Sequence, residues 1–263
     1  MSLASVSAPP TIRSNRAWSD LGSRLRQLWL AKMLATTLGI SAFFVAYFWV
    51  LHHPQFAITV MPLTALDHWI DFHAEALPVY LSLWVYVSLA PALLASGREL
   101  ASYGLATLVL ALIGLGVFML WPTAVPVFAI DLSANPSMAF LKSVDVAANA
   151  CPSLHVAFAV FTALWLAHLL AEMQGVWVLR ALNWVWCLAI LYSTVATRQH
   201  VVLDVLAGAA LGSVVAVLHL QLLKRGWWQA GLPVPAPVHA PVAAQAQVQS
   251  SPAAASPGGV TCP

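Results

Sequence analysis

The sequence predicts an all-α membrane protein with six transmembrane helices. Three observations carry that expectation. Of 263 residues, 61% are hydrophobic and only 8% are charged, where a soluble domain carries about 25% charged residues. The apolar residues fall into six long runs, each near the roughly 20 residues that cross a bilayer. The Lys and Arg residues sit at the ends of these runs and mostly on one side of them.

Residues 1–27 are polar and basic, with Arg13, Arg16, Arg24 and Arg26, and form a cytoplasmic N-terminal segment. The first apolar run, Leu28 to Leu51, is too long for a signal-peptide core of about 7–15 residues. It therefore reads as an uncleaved first span. Five more follow: Leu77 to Ala95, Ala101 to Trp121, Ser153 to Leu170, Ala181 to Thr197, and Val201 to Leu223. Residues 28–225 thus form one six-helix membrane domain. Residues 226–263 open on Gly226-Trp227-Trp228, which suits a membrane interface. Beyond that they are Pro, Ala, Val, Gln and Ser, too poor in bulky apolar residues for a packed core, and are expected to be a disordered tail.

Charge sets the orientation. With the N-terminus inside, nine cations face the cytoplasm: Arg13, Arg16, Arg24, Arg26, Lys32, Arg98, Arg180, Lys224 and Arg225. Only Lys142 and Arg198 lie outside. Both termini are then cytoplasmic, and the outer face holds loops 52–76 and 122–150 and the corner at Arg198–His200. The net charge of +2, with no basic patch interleaved with aromatics, gives no reason to expect nucleic acid. Cys151, Cys187 and Cys262 have no metal or disulfide spacing.

The first outer loop alternates polar and aromatic residues around Trp69, Ile70 and Phe72. It reads as a short interfacial helix, a solvated amphipathic lid. His68, Asp71, His73 and Glu75 are the one candidate metal set, but their spacing matches no familiar ligand pattern. No cofactor is expected, since no P-loop or nucleotide fingerprint is present.

Chemistry-bearing residues concentrate at two places on the outer face. In Arg198-Gln199-His200-Val201-Val202-Leu203-Asp204, the histidine and aspartate are four apart and share a helix face. A carboxylate inside a span needs a partner. Asp204 is placed to accept His200 Nδ1–H and leave Nε2 as base or nucleophile. A polar pair that merely joins two helices is the plainer reading of these two residues alone. Cys151-Pro152-Ser153-Leu154-His155 opens the fourth span, with Pro152 expected in the first helical turn. The outward amides there suit an anion, Ser153 adds a hydroxyl, and His155 falls on the same face as His200. His168 and His219 lie near the cytoplasmic ends and read as interfacial or packing residues. Down the sixth span, His200, Asp204, Gly208 and Gly212 form a small-residue stripe, and His155, Ala159 and Ala163 form another on the fourth. These stripes predict that the two helices touch, with Ser193 and Thr197 of the fifth span placed to join them.

Pro152-Ser153-Leu154-His155, with Ser193-Thr194-x-x-Thr197-x-Gln199-His200-x-x-x-Asp204 some forty residues on, resembles the type 2 phosphatidic acid phosphatase superfamily. More narrowly it resembles the branch of the inositol phosphorylceramide synthases, which Trp121-Pro122-Thr123 also fits. The resemblance covers roughly residues 60–220. It implies a six-helix core with its site on the non-cytosolic face. It further implies a phospholipid or lipid phosphate as substrate, with His200 as phosphoryl-accepting nucleophile, Asp204 as its orienting acid and His155 as general acid and then base. Ser153 and nearby amides would hold phosphate oxygens, with no metal. The superfamily's Lys…Arg-Pro motif and the Arg after the third-motif Ser are missing here, and Arg198 is the candidate substitute, with Lys142 more distant. Fewer cations suit a singly charged phosphodiester better than a dianionic monoester. The alternative from another class is a transporter or assembly partner. That reading calls for polar residues continuing across the membrane, whereas the ionisable residues gather near the outer face and Asp204.

Overall fold

In a computed structural model of the chain, residues 10–130, 135–144, 149–173 and 177–226 are described. The chain divides into two units, 1–228 and 229–263. The second, with most of the expected tail, lies outside the described residues, as do Trp227 and Trp228.

The described chain is helical almost throughout. The segment before the first span carries helix α1 (Pro10–Arg26). Six stretches are long and apolar enough to cross a membrane. They are α2 (Trp29–His52), the stretch Ala74–Leu93, α6 (Gly97–Leu120), α8 (Leu154–Glu172), α9 (Trp177–Ala196) and α10 (Val202–Lys224). Each overlaps one of the six expected runs. The second is not one rod. It comprises a 3₁₀ turn (Ala74–Ala76), α4 (Leu77–Leu81) and α5 (Leu83–Ala92), broken at Ser82, whose hydroxyl donates to the Val79 carbonyl. Between spans lie α3 (Ala65–Trp69), α7 (Pro136–Val144) and two short strands, β1 (Thr59–Val60) and β2 (Thr123–Ala124).

Helix α8 is the centre of the bundle. Its most apolar window is 72% buried, against 11% for α2. In a bilayer the hydrophobic effect does not distinguish lipid from protein, so close packing and interhelical hydrogen bonds hold the spans together. Both are present. The backbone of α10 approaches that of α8 so closely that an added Cβ at Gly208 would strike the Ser153 carbonyl, and one at Gly212 the Ala157 carbonyl. The two helices touch as expected, but α10 meets Ser153 and Ala157 rather than the Ala159–Ala163 stripe. Ala163 turns instead to α9, where its carbonyl accepts Asn183 Nδ2–H at 3.0 Å. Tyr86 Oη–H donates to Asn183 Oδ1 at 2.7 Å and brings in α5. Ser193 and Thr197 do not bridge helices. Their hydroxyls donate to Ile190 and Ser193 carbonyls of their own helix.

At the end away from the two candidate histidines, Lys32 is buried rather than extended to water. Its ammonium donates to the Arg24 and Ala92 carbonyls at 2.6 and 2.9 Å. These sit near the C-terminal ends of α1 and α5, where a cation is favourable.

Candidate functional site

The corner between α9 and α10 is built by backbone bonds. The Arg198 N–H donates to the Val195 carbonyl, and the Gln199 N–H to the Thr194 carbonyl, which also accepts from His200 N–H. The first two bonds are those of a Schellman ending, which wants a left-handed residue after the helix, usually glycine. Here that residue is Arg198, at φ 55°. A left-handed non-glycine costs about 1–2 kcal/mol, and the side chain explains why it is kept. Arg198 Nη1 and Nη2 donate to the carbonyls of Asp67 and Ile70 at 2.7 and 2.8 Å. Its guanidinium also lies 4.6 Å over the Phe128 ring.

Asp67 completes this clasp. Its Oδ2 accepts both the amide and the hydroxyl of Thr64 at 2.7 Å, and its Oδ1 accepts the Val202 amide at 2.8 Å. One carboxylate thus caps α3 and, across 135 residues of sequence, satisfies an amide at the start of α10 that has no acceptor within its own helix. Asp67 is 1% exposed. The expected solvated lid is therefore corrected. It is docked through Asp67 while Trp69 stays outside, 81% exposed. The set His68, Asp71, His73 and Glu75 does not gather. His73 Nδ1 pairs with Glu75 at 2.9 Å, and no group of three metal-capable side chains forms among the described residues.

His200 precedes α10 rather than lying on it. Its Nδ1 is 3.6 Å from Asp204 Oδ2, an ion-pair distance beyond hydrogen-bond range. That carboxylate oxygen instead accepts the Val201 amide at 3.0 Å, and the Asp204 backbone carbonyl accepts Ser153 N–H at 3.0 Å. His200 Nδ1 and Asp204 Oδ1 are buried without a hydrogen-bond partner among the described residues. Asp204 therefore supports the corner and faces Nδ1, leaving Nε2 as the nitrogen turned away from it.

His155 lies in the first turn of α8. Its Nε2 is 3.0 Å from the Tyr80 carbonyl. A carbonyl can only accept, so Nε2 carries a proton and Nδ1 is the nitrogen left to give or take one. The ring stacks on Tyr80 at 4.0 Å and 10°. Both Tyr80 contacts come from α4, one turn or less from the break at Ser82, and Trp84 of α5 meets the ring edge-on at 6.3 Å.

His155 and His200 line one cavity of about 180 Å3, together with Tyr80, Trp84, Asn149 and Phe158. No Lys or Arg is among its described lining residues. Ser153 and Arg198 do not line it either, although the sequence reading gave both to phosphate. Ser153 is fully buried and is the N-cap of α8, its Oγ accepting the Val156 amide at 3.3 Å. Pro152 accordingly precedes the cap instead of occupying the first turn. An apolar cavity of about 330 Å3 adjoins the first, sharing Phe43, Trp84 and Phe158, and runs past Gly39 and Gly104. Beside the corner, burial and then the Asp204 charge push the Cys151 thiol up to about 11, so it is inert as a nucleophile at neutral pH.

Sequence reasoning missed Asp67, Tyr80 and Asn149. Thr64-x-x-Asp67 carries a readable capping pattern, but nothing in it points to Val202. Tyr80 contributes through its carbonyl and ring face, which leave no motif.

Fold and site together describe a membrane protein with six spanning-length helices and a two-histidine cavity at one end of the bundle. Residues 98–228 match the family model of the PAP2 superfamily, the superfamily that the motifs resemble. The match runs from α6 through α10 and contains Ser153, His155, Arg198, His200 and Asp204. No curated protein and no solved structure matches the chain.

Proposed function

We propose that the protein is an integral membrane phosphotransfer enzyme acting on a phospholipid or lipid phosphate at the non-cytoplasmic face. His200 Nε2 attacks phosphorus, and the bond from phosphorus to the leaving oxygen breaks. His155 enters the step as the imidazolium, its Nε2–H held by the Tyr80 carbonyl, and delivers its Nδ1 proton to that oxygen, becoming neutral. Water or a lipid hydroxyl then attacks the phosphohistidine and gives its proton to His155, restoring both histidines. Covalent transfer of this kind divides one difficult step into two, and one residue can serve both proton transfers. The first amides of α8, those of Leu154 and His155, have no acceptor within the helix and suit phosphate oxygens. Ser153 and Arg198 act by holding this frame. With the histidine end outside, the termini are cytoplasmic, as the distribution of Lys and Arg supports.

The carrying observation is the shared cavity: two histidines from separate spans line it, and a buried carboxylate stands 3.6 Å behind one of them. The adjoining apolar cavity supports a lipid substrate. The lack of Lys and Arg in the lining supports the branch that transfers a phospho-headgroup to a lipid alcohol, as inositol phosphorylceramide synthases do, over monoester hydrolysis. The test is purified protein with lipid monoesters and diesters, with and without a lipid alcohol, in chelator. Turnover is expected in wild type and lost in His155→Ala and His200→Ala. A folded wild-type protein inactive on every lipid would favour a transporter or assembly partner.

A further inference from the structure

Asn149 is held firmly, and no described residue uses its side-chain donor. Its backbone pairs with Thr123 of β2, which pairs in turn with β1. The next residues are tied to the same threonine, Ala150 N–H to its carbonyl and Cys151 N–H to its Oγ1 at 2.7 Å. The Asn149 side chain lines the cavity that His155 and His200 line. The residue is 7% exposed, and Nδ2 is buried without a hydrogen-bond partner among the described residues. A buried donor left unpaired is unfavourable, and such a group beside reactive residues calls for an explanation.

We propose that Asn149 is a substrate-binding residue that donates its Nδ2–H to a non-bridging oxygen of a singly charged phosphodiester. The inference rests on the phosphotransfer reading above and adds a residue that meets the substrate's single charge. A carboxamide supplies a fixed donor and no charge. The remaining described residues of the cavity wall are aromatic, aliphatic and imidazole. The nearby guanidinium of Arg198 is turned to the Asp67 and Ile70 carbonyls and the Phe128 ring. A wall with no Lys or Arg among its described residues accommodates one negative charge more readily than two. The donor matters most as charge builds on the phosphoryl oxygens in the transition state, because it is already oriented in a water-poor site.

The test uses the full-length protein in mixed micelles at pH 8. Turnover is followed with hexadecyl 4-methylumbelliferyl phosphate, a diester with one charge. Hexadecyl methyl phosphate and hexadecyl phosphate serve as competitors that differ mainly in charge. In wild type the methyl diester is expected to compete at least about tenfold better than the monoester, a difference of about 1.4 kcal/mol. Asn149→Asp, of the same shape but without the donor, is expected to lower kcat about 100-fold. Asn149→Gln, which keeps a donor, is expected to retain more activity than Asn149→Asp. If His200→Ala is inactive while Asn149→Asp matches wild type, this inference falls and the phosphotransfer reading stands. If the dianion competes better in wild type, the charge class is wrong, whether or not the variants fold. If wild type is inactive, or His200→Ala is fully active, both fall together.

Discussion

Replacing Asp67 by alanine should release the loop that carries α3 from the His200 corner. The side chain accepts three hydrogen bonds, two from Thr64 and one from Val202, at 2.7–2.8 Å and almost fully buried. Bonds to a charged acceptor contribute about 1.5–3 kcal/mol each. The Thr64 groups regain water once the loop moves, so the loss falls mainly on the Val202 amide and on the cap of α3. A net weakening of about 2–4 kcal/mol is expected. At about 1.36 kcal/mol per tenfold, the opening equilibrium of the clasp rises about 30- to 900-fold. Hydrogen exchange reads this directly. Amides in 64–70 and 198–204 should lose protection by that factor, while those in the middle of α8 keep theirs. Turnover should fall through kcat as His200 loses its fixed place. Unchanged exchange at 198–204, with wild-type activity, would refute the clasp.

Other substitutions test separate contacts. Arg198→Gly relieves a left-handed backbone worth about 1–2 kcal/mol but removes two guanidinium bonds. It should be less stable than wild type in a thermal melt, and a more stable variant would contradict the role given to the side chain. Gly208→Ala places a methyl group against the Ser153 carbonyl and should cost about 1–3 kcal/mol by overpacking, with a lower melting temperature; a neutral result would mean that α8 and α10 lie farther apart. Cys151, its thiol raised to about 11 by burial and the Asp204 charge, is only about one part in a thousand thiolate at pH 8. Iodoacetamide should label it slowly until the protein is unfolded, and labelling at the rate of a free thiol would contradict that packing.

The spans were legible because each is a long apolar run bounded by charge or proline, and lipid demands little more of a sequence than length and hydropathy. The break at Ser82 was not, since Leu77–Ala92 is apolar on both sides of it. The histidines were legible through the short motifs around them. Their setting was less so. The spacing of His200 and Asp204 suggested one helix face, yet Arg198 turns the chain left-handed and leaves His200 just ahead of α10. Asp204 then acts first as a cap. Lys32 counts with the cytoplasm-facing cations, since its sequence neighbourhood gives no hint of the carbonyls of Arg24 and Ala92 that receive it. Asp67 and Asn149 depend on partners 135 and 26 positions away in sequence. Local pattern carries no trace of contacts at that range.

The central claim is that His200 takes the phosphoryl group. His155→Ala protein incubated with a ³²P-labelled lipid diester bearing an aryl leaving group bypasses the need for an acid in the first step and slows the second. A burst of leaving group and an acid-labile, base-stable label on the peptide containing His200 are the predicted results. Label on a different residue, or turnover by His200→Ala at the wild-type rate, would contradict the mechanism.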